Sequence, residues 1–180
     1  FGTNAIAAQK IGLQIESITY MVIGGLNGAI ASFAGQNFGA KKFNRIKEGY
    51  NTALVIGITY SLIMSCVFIF LKGPIIKLFI RDVDTSLIAY RYLQAVAYSQ
   101  AFSTIEMVSN GLFTGLGKPK IPATISILFT VLRIPMALIL MKSYGINGIW
   151  WSIAISSILK GASAYLIYKF KVSKEYKYVR

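Results

Sequence analysis

The sequence predicts an all-α membrane protein, a polytopic bundle of about five transmembrane helices. Hydrophobic residues make up 55% of the 180-residue chain and charged residues only 14%, with a mean hydropathy of +0.59. A soluble domain carries roughly 25% charged residues. The apolar residues also fall in runs close to the ~20 residues that a helix needs to cross a bilayer. The lipid bilayer is therefore the expected surrounding of most of the chain.

The first predicted span covers about residues 5–37. At ~1.5 Å per residue it would be close to 50 Å long, which exceeds the ~30 Å hydrocarbon core. The excess would project past the interface or be taken up by tilt. Gly24, Gly25 and Gly28 are candidate bend points or, the interpretation we favour, sites of close helix packing.

A basic polar loop, GQNFGAKKFNRIKEG (35–49), is predicted after this span, with Gly39 capping the first helix. The second span covers about 50–71 and ends at Gly73 and Pro74. A mixed-charge loop is expected to lead from there to the third span.

Three further apolar runs complete the bundle. Pro135 is expected to interrupt the fourth span, because proline removes a backbone hydrogen bond. Trp150 and Trp151 open the fifth, where interfacial aromatic residues are common. The basic tail KFKVSKEYKYVR is expected on the surface. These three spans cover about residues 87–116, 121–141 and 146–170.

The charge of the chain predicts its orientation. The net charge is +13, from 19 basic and 6 acidic residues, and the bases lie mainly in the gaps between apolar runs. One side of the membrane collects more than twice as many of them, so we assign that side to the cytoplasm and the protein to the cell membrane. This distribution is an orientation signal, and no nucleic-acid partner is expected. The cytoplasmic set outside the tail is Lys41, Lys42, Arg45, Lys47, Lys118 and Lys120.

The composition argues against an enzyme. There is no histidine, and the single cysteine, Cys66, lies within a predicted span. Without histidine or a cysteine cluster the sequence offers neither the commonest general base nor a familiar metal-ligand set. We therefore expect no catalytic residues, no bound metal and no organic cofactor.

Glu106 is the acid placed deepest in apolar sequence, about ten residues or ~15 Å from its helix end. An ionisable group at such depth costs several kcal/mol and by default marks a function or a fixed ion pair. Arg133 and Lys160 lie at comparable depth on the next two spans. Our hypothesis is that Glu106 pairs with Arg133, while Lys160 joins them or snorkels. The pair would either lock two helices together or take part in proton or cation coupling.

Polar residues accompany Glu106 along its helix. Ser103 precedes it by three positions and Asn110 follows it by four, so both share its face. This stripe would line a hydrated cavity or supply interhelical hydrogen bonds. Tyr98 belongs to an aromatic set that suits an apolar drug cavity or core packing. Glu16 is instead expected near the outer interface, in contact with solvent.

Four segments carry a family resemblance: GQNFGAKK, FSTIEMVSNGLFTGLGKPKIP, LRIPMALIL and GINGIWWSIAIS. In this order and spacing they resemble the C-terminal half of a multidrug and toxic compound extrusion (MATE) transporter, across nearly the whole chain. The resemblance implies a twelve-helix protein of two six-helix lobes, with the present spans as the eighth to twelfth helices. Residues 1–4 would be the loop after a missing seventh helix, so a fragment is expected.

The resemblance also implies a function. Such transporters are secondary-active antiporters that export organic, often cationic, compounds in exchange for Na⁺ or H⁺, by alternating access between the lobes. The implied partners are amphipathic organic cations and the missing N-terminal lobe. Some members use an acid on the tenth helix in a cation site, and that position is Ser103 here.

The alternative is a lipid-linked oligosaccharide flippase of the same superfamily. That class should show a cluster of basic residues facing the cavity, to bind a pyrophosphate. Arg133 and Lys160 are the only deep bases in this sequence, which disfavours the alternative.

Overall fold

The computed structural model describes residues 2–172, which form helices and short connections without a strand. The all-α fold predicted from composition is thereby confirmed. The elements are α1 (Gly2–Gly39), α2 (Phe43–Phe70), α3 (Lys72–Phe79), α4 (Val83–Gly115), α5 (Lys120–Tyr144) and α6 (Ile146–Ile167), followed by a short π-helix (Tyr168–Val172).

α4 is the central helix and packs against α1, α2, α3, α5 and α6. It runs parallel to α1: Gly12 meets the ring of Tyr92 near one end of the interface, and Gly115 meets the backbone of Ala31 near the other. Helix α2 runs antiparallel to it. Since α4 is covered by protein on most sides, its polar side chains need not face lipid.

Three of the described helices, α1, α2 and α5, are long and apolar enough to cross a membrane by length and composition. Helices α4 and α6 occupy two further predicted spans and carry buried serines, among them Ser103 and Ser156. That these two helices also cross the bilayer stays a prediction.

The loop predicted over residues 35–49 is largely helical. Helix α1 continues to Gly39 and α2 begins at Phe43, so only three residues connect them. Lysine, arginine and glutamate are good helix formers, and the segment FNRIKE therefore begins α2 instead of forming a loop. Gly39 does not cap α1 either, because the residue with a left-handed φ of 57° is Lys41.

Other predicted breaks also differ from the structure. Residues 2–4 belong to α1 and not to a loop. The mixed-charge loop contains α3, which accepts Pro74 in its first turn, where the missing N–H is not needed. Helix α5 continues through Pro135 without a break. Of the basic tail, residues 173–180 lie outside the described residues.

The glycines that pack closely are not the ones predicted from the sequence. A Cβ at Gly24, Gly25 or Gly28 would find nothing within 4 Å. A Cβ at Gly111 or Gly115 on α4 would instead strike backbone atoms of α1. These two glycines are four residues apart, so they form one smooth strip that lets the helix backbones approach.

The buried apolar side chains form two clusters at opposite ends of the bundle. The first includes Tyr50 and Phe113, and the second includes Phe68, Tyr92 and Trp150. Trp150 packs edge-on against Tyr92, with ring centroids 5.1 Å apart, and its predicted place at the membrane interface stays a prediction. The packing of α6 on α4 turns Trp150 inward and leaves Trp151 partly exposed.

Candidate functional site

A layer of buried polar side chains lies between the two apolar clusters. On α4 the second cluster ends at Ala97 and the first resumes at Val108. Buried side chains in the intervening turns are polar, and α1, α2 and α6 add others at the same level. We call this set the polar layer: Glu16, Thr19, Ser61, Ser65, Ser99, Gln100, Ser103, Thr104, Ser156 and Lys160.

Glu16 lies inside the bundle and is only 5% exposed. Tyr92 on α4 donates its hydroxyl to Glu16 Oε2 over 2.9 Å, and the hydroxyl of Tyr20 also acts on the carboxylate. The prediction of a solvated acid at the outer interface is therefore wrong. The covering groups come largely from α4, whose position beside α1 cannot be read from the sequence of α1.

Tyr20 connects the two halves of the polar layer. Glu16, Ser103 and Glu106 all act on its hydroxyl, so Tyr20 lies near both acidic side chains. Ser103 lies close to the same hydroxyl.

Glu106 is half-buried on α4, and Asn110 lies one turn further on, close enough to act on its carboxylate. This proximity agrees with the helical spacing seen in the sequence. Lys160 and Arg133 are the positive charges that act on Glu106. A direct Glu106–Arg133 pair stays a prediction.

The two bases hydrogen-bond reciprocally between α5 and α6. Arg133 Nε donates to Ser156 Oγ over 2.7 Å, and Lys160 Nζ donates to Thr130 Oγ1 over 3.2 Å. Lys160 is 8% exposed, so it does not snorkel to a helix end. Both cations are fixed by neutral hydroxyls, which leaves their charges available to the nearby acids.

The four charged groups balance one another. Arg133 acts electrostatically on both Glu16 and Glu106, and Lys160 supplies the second positive charge. Uncompensated charge is costly in a low-dielectric interior, so equal numbers of acids and bases are favourable there. Sequence reasoning missed Glu16, although its spacing of four from Tyr20 was a visible signal.

Part of the predicted polar stripe serves as interhelical hydrogen bonding. The hydroxyls of Tyr50 and Ser109 lie 2.7 Å apart between α2 and α4, and Ser65 Oγ donates to the carbonyl of Ala97 over 2.8 Å. Two residues of the polar layer have polar atoms that could still form hydrogen bonds. Thr19 Oγ1 and Gln100 Nε2 are buried without a hydrogen-bond partner among residues 2–172. Such groups are usually satisfied by protein or water.

Tyr98 lies apart from the acids. It is 49% exposed and stacks on Trp151, which is 42% exposed, with ring centroids 5.8 Å apart and planes 13° apart. Phe113, from the same predicted aromatic set, is fully buried in the first cluster. The exposed pair offers a flat aromatic surface, and its role as a substrate contact stays a prediction.

A bundle of long apolar helices that holds a balanced set of charges between two apolar cores is the architecture of a polytopic membrane transporter. The MatE family model matches residues 1–139, and the chain therefore belongs to the MATE family of multidrug efflux transporters. Membership and the apolar helices together place it in a multi-pass protein of the cell membrane.

Similar proteins agree with this assignment. The chain is 28% identical over 170 residues to a probable multidrug resistance protein NorM of Mesorhizobium japonicum, covering 91% of this chain and 36% of that protein. It is 24% identical to human multidrug and toxin extrusion protein 1, covering 88% of this chain and 28% of the relative. The chain thus spans little more than a third of these relatives, or less.

Solved structures show the same fold. The Vibrio cholerae MATE transporter VcmN in its bent form superposes with a TM-score of 0.90 at 24% identity, covering 98% of this chain and 40% of that one. An inward-facing MATE transporter superposes with a TM-score of 0.85 at 18% identity. At these identities the likeness concerns the fold alone.

Proposed function

We propose that the intact protein exports organic, often cationic, compounds across the cell membrane in exchange for Na⁺ or H⁺. The described helices would form part of its C-terminal lobe, which moves against an N-terminal lobe in alternating access. Membership of the MATE family supports the transport class. The observation that carries the coupling step is the balanced set of Glu16, Glu106, Arg133 and Lys160.

Binding of a cation to this set changes its charge. A proton on Glu106, or a Na⁺ beside it, leaves two bases against one free carboxylate. The site then repels a cationic substrate, and Coulomb energies are large where water is excluded. Coupling ion and substrate would therefore compete, which is the requirement for exchange.

The two acids differ in access. Glu106 is half-buried, whereas Glu16 is buried and hydrogen-bonded to Tyr92. Glu106 is therefore the group that meets an incoming ion, and Glu16 is the fixed counter-charge that keeps Arg133 compensated. The flippase alternative receives less support, because both deep bases face nearby acids and do not form a free basic cluster.

The test is gradient-driven transport by the intact protein in lipid vesicles. Efflux of a fluorescent organic cation is measured under a Na⁺ gradient and, separately, under a pH gradient. We expect Glu106→Gln to abolish the response to whichever gradient drives the wild type. Glu48→Gln, which changes an exposed acid on α2, is the matched control and should transport normally.

Unchanged gradient-driven efflux in Glu106→Gln would remove Glu106 from coupling. A wild-type protein that moves no organic cation under either gradient would contradict the export function itself. Glu16→Gln distinguishes the fixed counter-charge from the ion-binding acid. It should reduce the yield of folded protein more than Glu106→Gln does.

A further inference from the structure

A groove of 440 Å³ lies between α1 and α2, away from the polar layer. Leu26 and Phe33 line it from α1, and Ala53 and Ile56 line it from α2. Its volume is in the range of small-ligand pockets, roughly 300–1,000 Å³. Since this wall is apolar, the groove suits a hydrocarbon occupant.

The groove has the depth of one membrane leaflet. Its lining on α2 extends from Arg45 to Ile56, eleven residues or ~16 Å along the helix. The hydrocarbon core of a bilayer is ~30 Å thick, so the groove covers about half of it. Both helices are long and apolar enough to span a membrane, and the groove begins at the turn that connects them.

The charged end of the groove is basic. Arg45 and Glu48 line it there, and the adjoining turn adds the exposed Lys41 and Lys42. Three bases and one acid thus lie at this end of the groove. Basic clusters directly beside a membrane helix attract anionic lipids, at about 1 kcal/mol per lysine or arginine.

We propose that this groove binds one acyl chain of an anionic glycerophospholipid, with the headgroup phosphate at Arg45 and the lysines of the turn. An apolar wall with a basic end matches an amphiphile of this kind. The groove covers about half of the ~30 Å hydrocarbon core, which is the reach of one acyl chain within a single leaflet.

Gly49 shapes the wall of the groove. A Cβ at this position would strike the ring of Phe33, so the absent side chain leaves room for that ring against α2. Phe33 is therefore held at the groove by packing. A tryptophan in its place would contact whatever occupies the groove, and its fluorescence would respond to that occupant.

The experiment uses tryptophan fluorescence of the intact protein with Phe33→Trp, in vesicles that contain lipids brominated on the acyl chain. Quenching is compared between brominated phosphatidylglycerol and brominated phosphatidylcholine at equal mole fraction, after subtraction of the parent protein's signal. We expect phosphatidylglycerol to quench more strongly. Adding Arg45→Gln should lower this preference about fivefold, the equivalent of one basic contact.

The matched control is Arg81→Gln, which removes an exposed arginine from the α3–α4 connection and should leave the preference unchanged. Ala29→Phe, added to Phe33→Trp, fills the exposed part of the groove and should abolish the difference between the two lipids. Equal quenching by both lipids would overturn the proposal. Absence of quenching in the Phe33→Trp protein would also overturn it, because a protein segment would then cover the groove.

Discussion

Tyr92 on α4 and Glu16 on α1 are joined by a 2.9 Å hydrogen bond across the interface of the two parallel helices. The acid is nearly inaccessible to solvent, and its donor is packed against Gly12 and Trp150. This contact fixes an ionisable side chain in the interior and links the second apolar cluster to the polar layer. Its strength can be measured.

Tyr92→Phe should lower the free energy of unfolding by about 1.5–3 kcal/mol, because the lost bond has a carboxylate acceptor. Tyr50→Phe is the control, since it removes the bond between two neutral hydroxyls at Ser109. Interhelical bonds of that kind average about 0.6 kcal/mol in membrane bundles. Reversible unfolding of the intact protein in mixed micelles measures both. Equal losses would argue that Glu16 carries no charge in the folded protein.

Gly111→Ala should destabilise the bundle by about 1–3 kcal/mol, because its Cβ would strike the carbonyl oxygen of Asn27. Gly28→Ala provides the control, since a Cβ there meets nothing within 4 Å. It should be neutral or gain up to about 1 kcal/mol from helix propensity. The same unfolding measurement applies. A tolerated Gly111→Ala would mean that α1 and α4 are less closely packed than described.

Lys41→Gly should stabilise the protein by up to about 1 kcal/mol, because Lys41 holds a left-handed φ of 57° that glycine adopts without steric cost. Helix α4 ends in the same way, with Gly117 at φ 71°. Its N–H donates to Thr114, and the next N–H donates to Phe113, which is the Schellman pattern. Thermal unfolding in detergent measures the change.

Two variants check this interpretation of the helix ends. Lys42→Gly, at φ −93°, should bring no gain, because lysine is unstrained there. Gly117→Ala should lose about 1 kcal/mol from backbone strain alone, since nothing lies within 4 Å of the added Cβ. A gain in both lysine variants would point to charge repulsion in the turn and not to backbone strain.

Asp82 makes the stability of α4 depend on pH. The hydroxyl and then the backbone N–H of Thr85 donate to its carboxylate, over 2.6 and 2.8 Å, and hold the pKa of Asp82 below its usual range. A lowered folded-state pKa contributes stability that is complete above the unfolded pKa of ~3.9 and is lost as the pH falls through the folded pKa. Melting temperatures of wild type and Asp82→Asn should therefore converge below about pH 4.

Asp84→Asn is the control for this titration, because Asp84 lies in the first turn of α4 without a resolved cap bond. Its melting curve should follow the wild type between pH 5 and pH 3. Parallel curves for wild type and Asp82→Asn would show that the cap does not depend on the ionised carboxylate.

Tyr98→Ala should weaken the apparent affinity for aromatic cations by about 2- to 30-fold, the range expected from about 0.5–2 kcal/mol of cation–π attraction. This expectation rests on the proposed export function and on the exposed stack with Trp151. Concentration dependence of efflux from vesicles provides the measurement. As a control, Tyr144→Ala removes a tyrosine that is also exposed and should leave the affinity unchanged. Equal effects of the two variants would show that the Tyr98–Trp151 stack does not bind the substrate.

Much of the fold follows from local sequence. The apolar runs coincide with five long helices, and α2 ends at Phe70, one residue before the predicted end of the second span. The positions of helix ends were less accurate, since polar residues outside the membrane do not stop a helix. Lys41 is an example, because a lysine side chain does not predict the left-handed backbone found there.

The site was only partly accessible to sequence reasoning. The depth of Glu106 and its proximity to Asn110 follow from helical periodicity, because both lie on one helix. The hydrogen bonds of Arg133 and Lys160 to the facing helix depend on how α5 and α6 are rotated. That rotation is set by the packing of many side chains and has no local signature.

By itself, the sequence determined an all-helical membrane protein of the MATE family with charges at depth, because hydropathy and family motifs belong to the chain's own residues. Only the tertiary structure decided that Glu16 is a buried partner of Tyr92 and that Gly111 and Gly115 pack where Gly24 and Gly25 do not. The physical reason is that burial depends on which face of each helix its neighbours cover. Here the parallel contact between α1 and α4, two helices distant in sequence, determines which faces of both helices are buried.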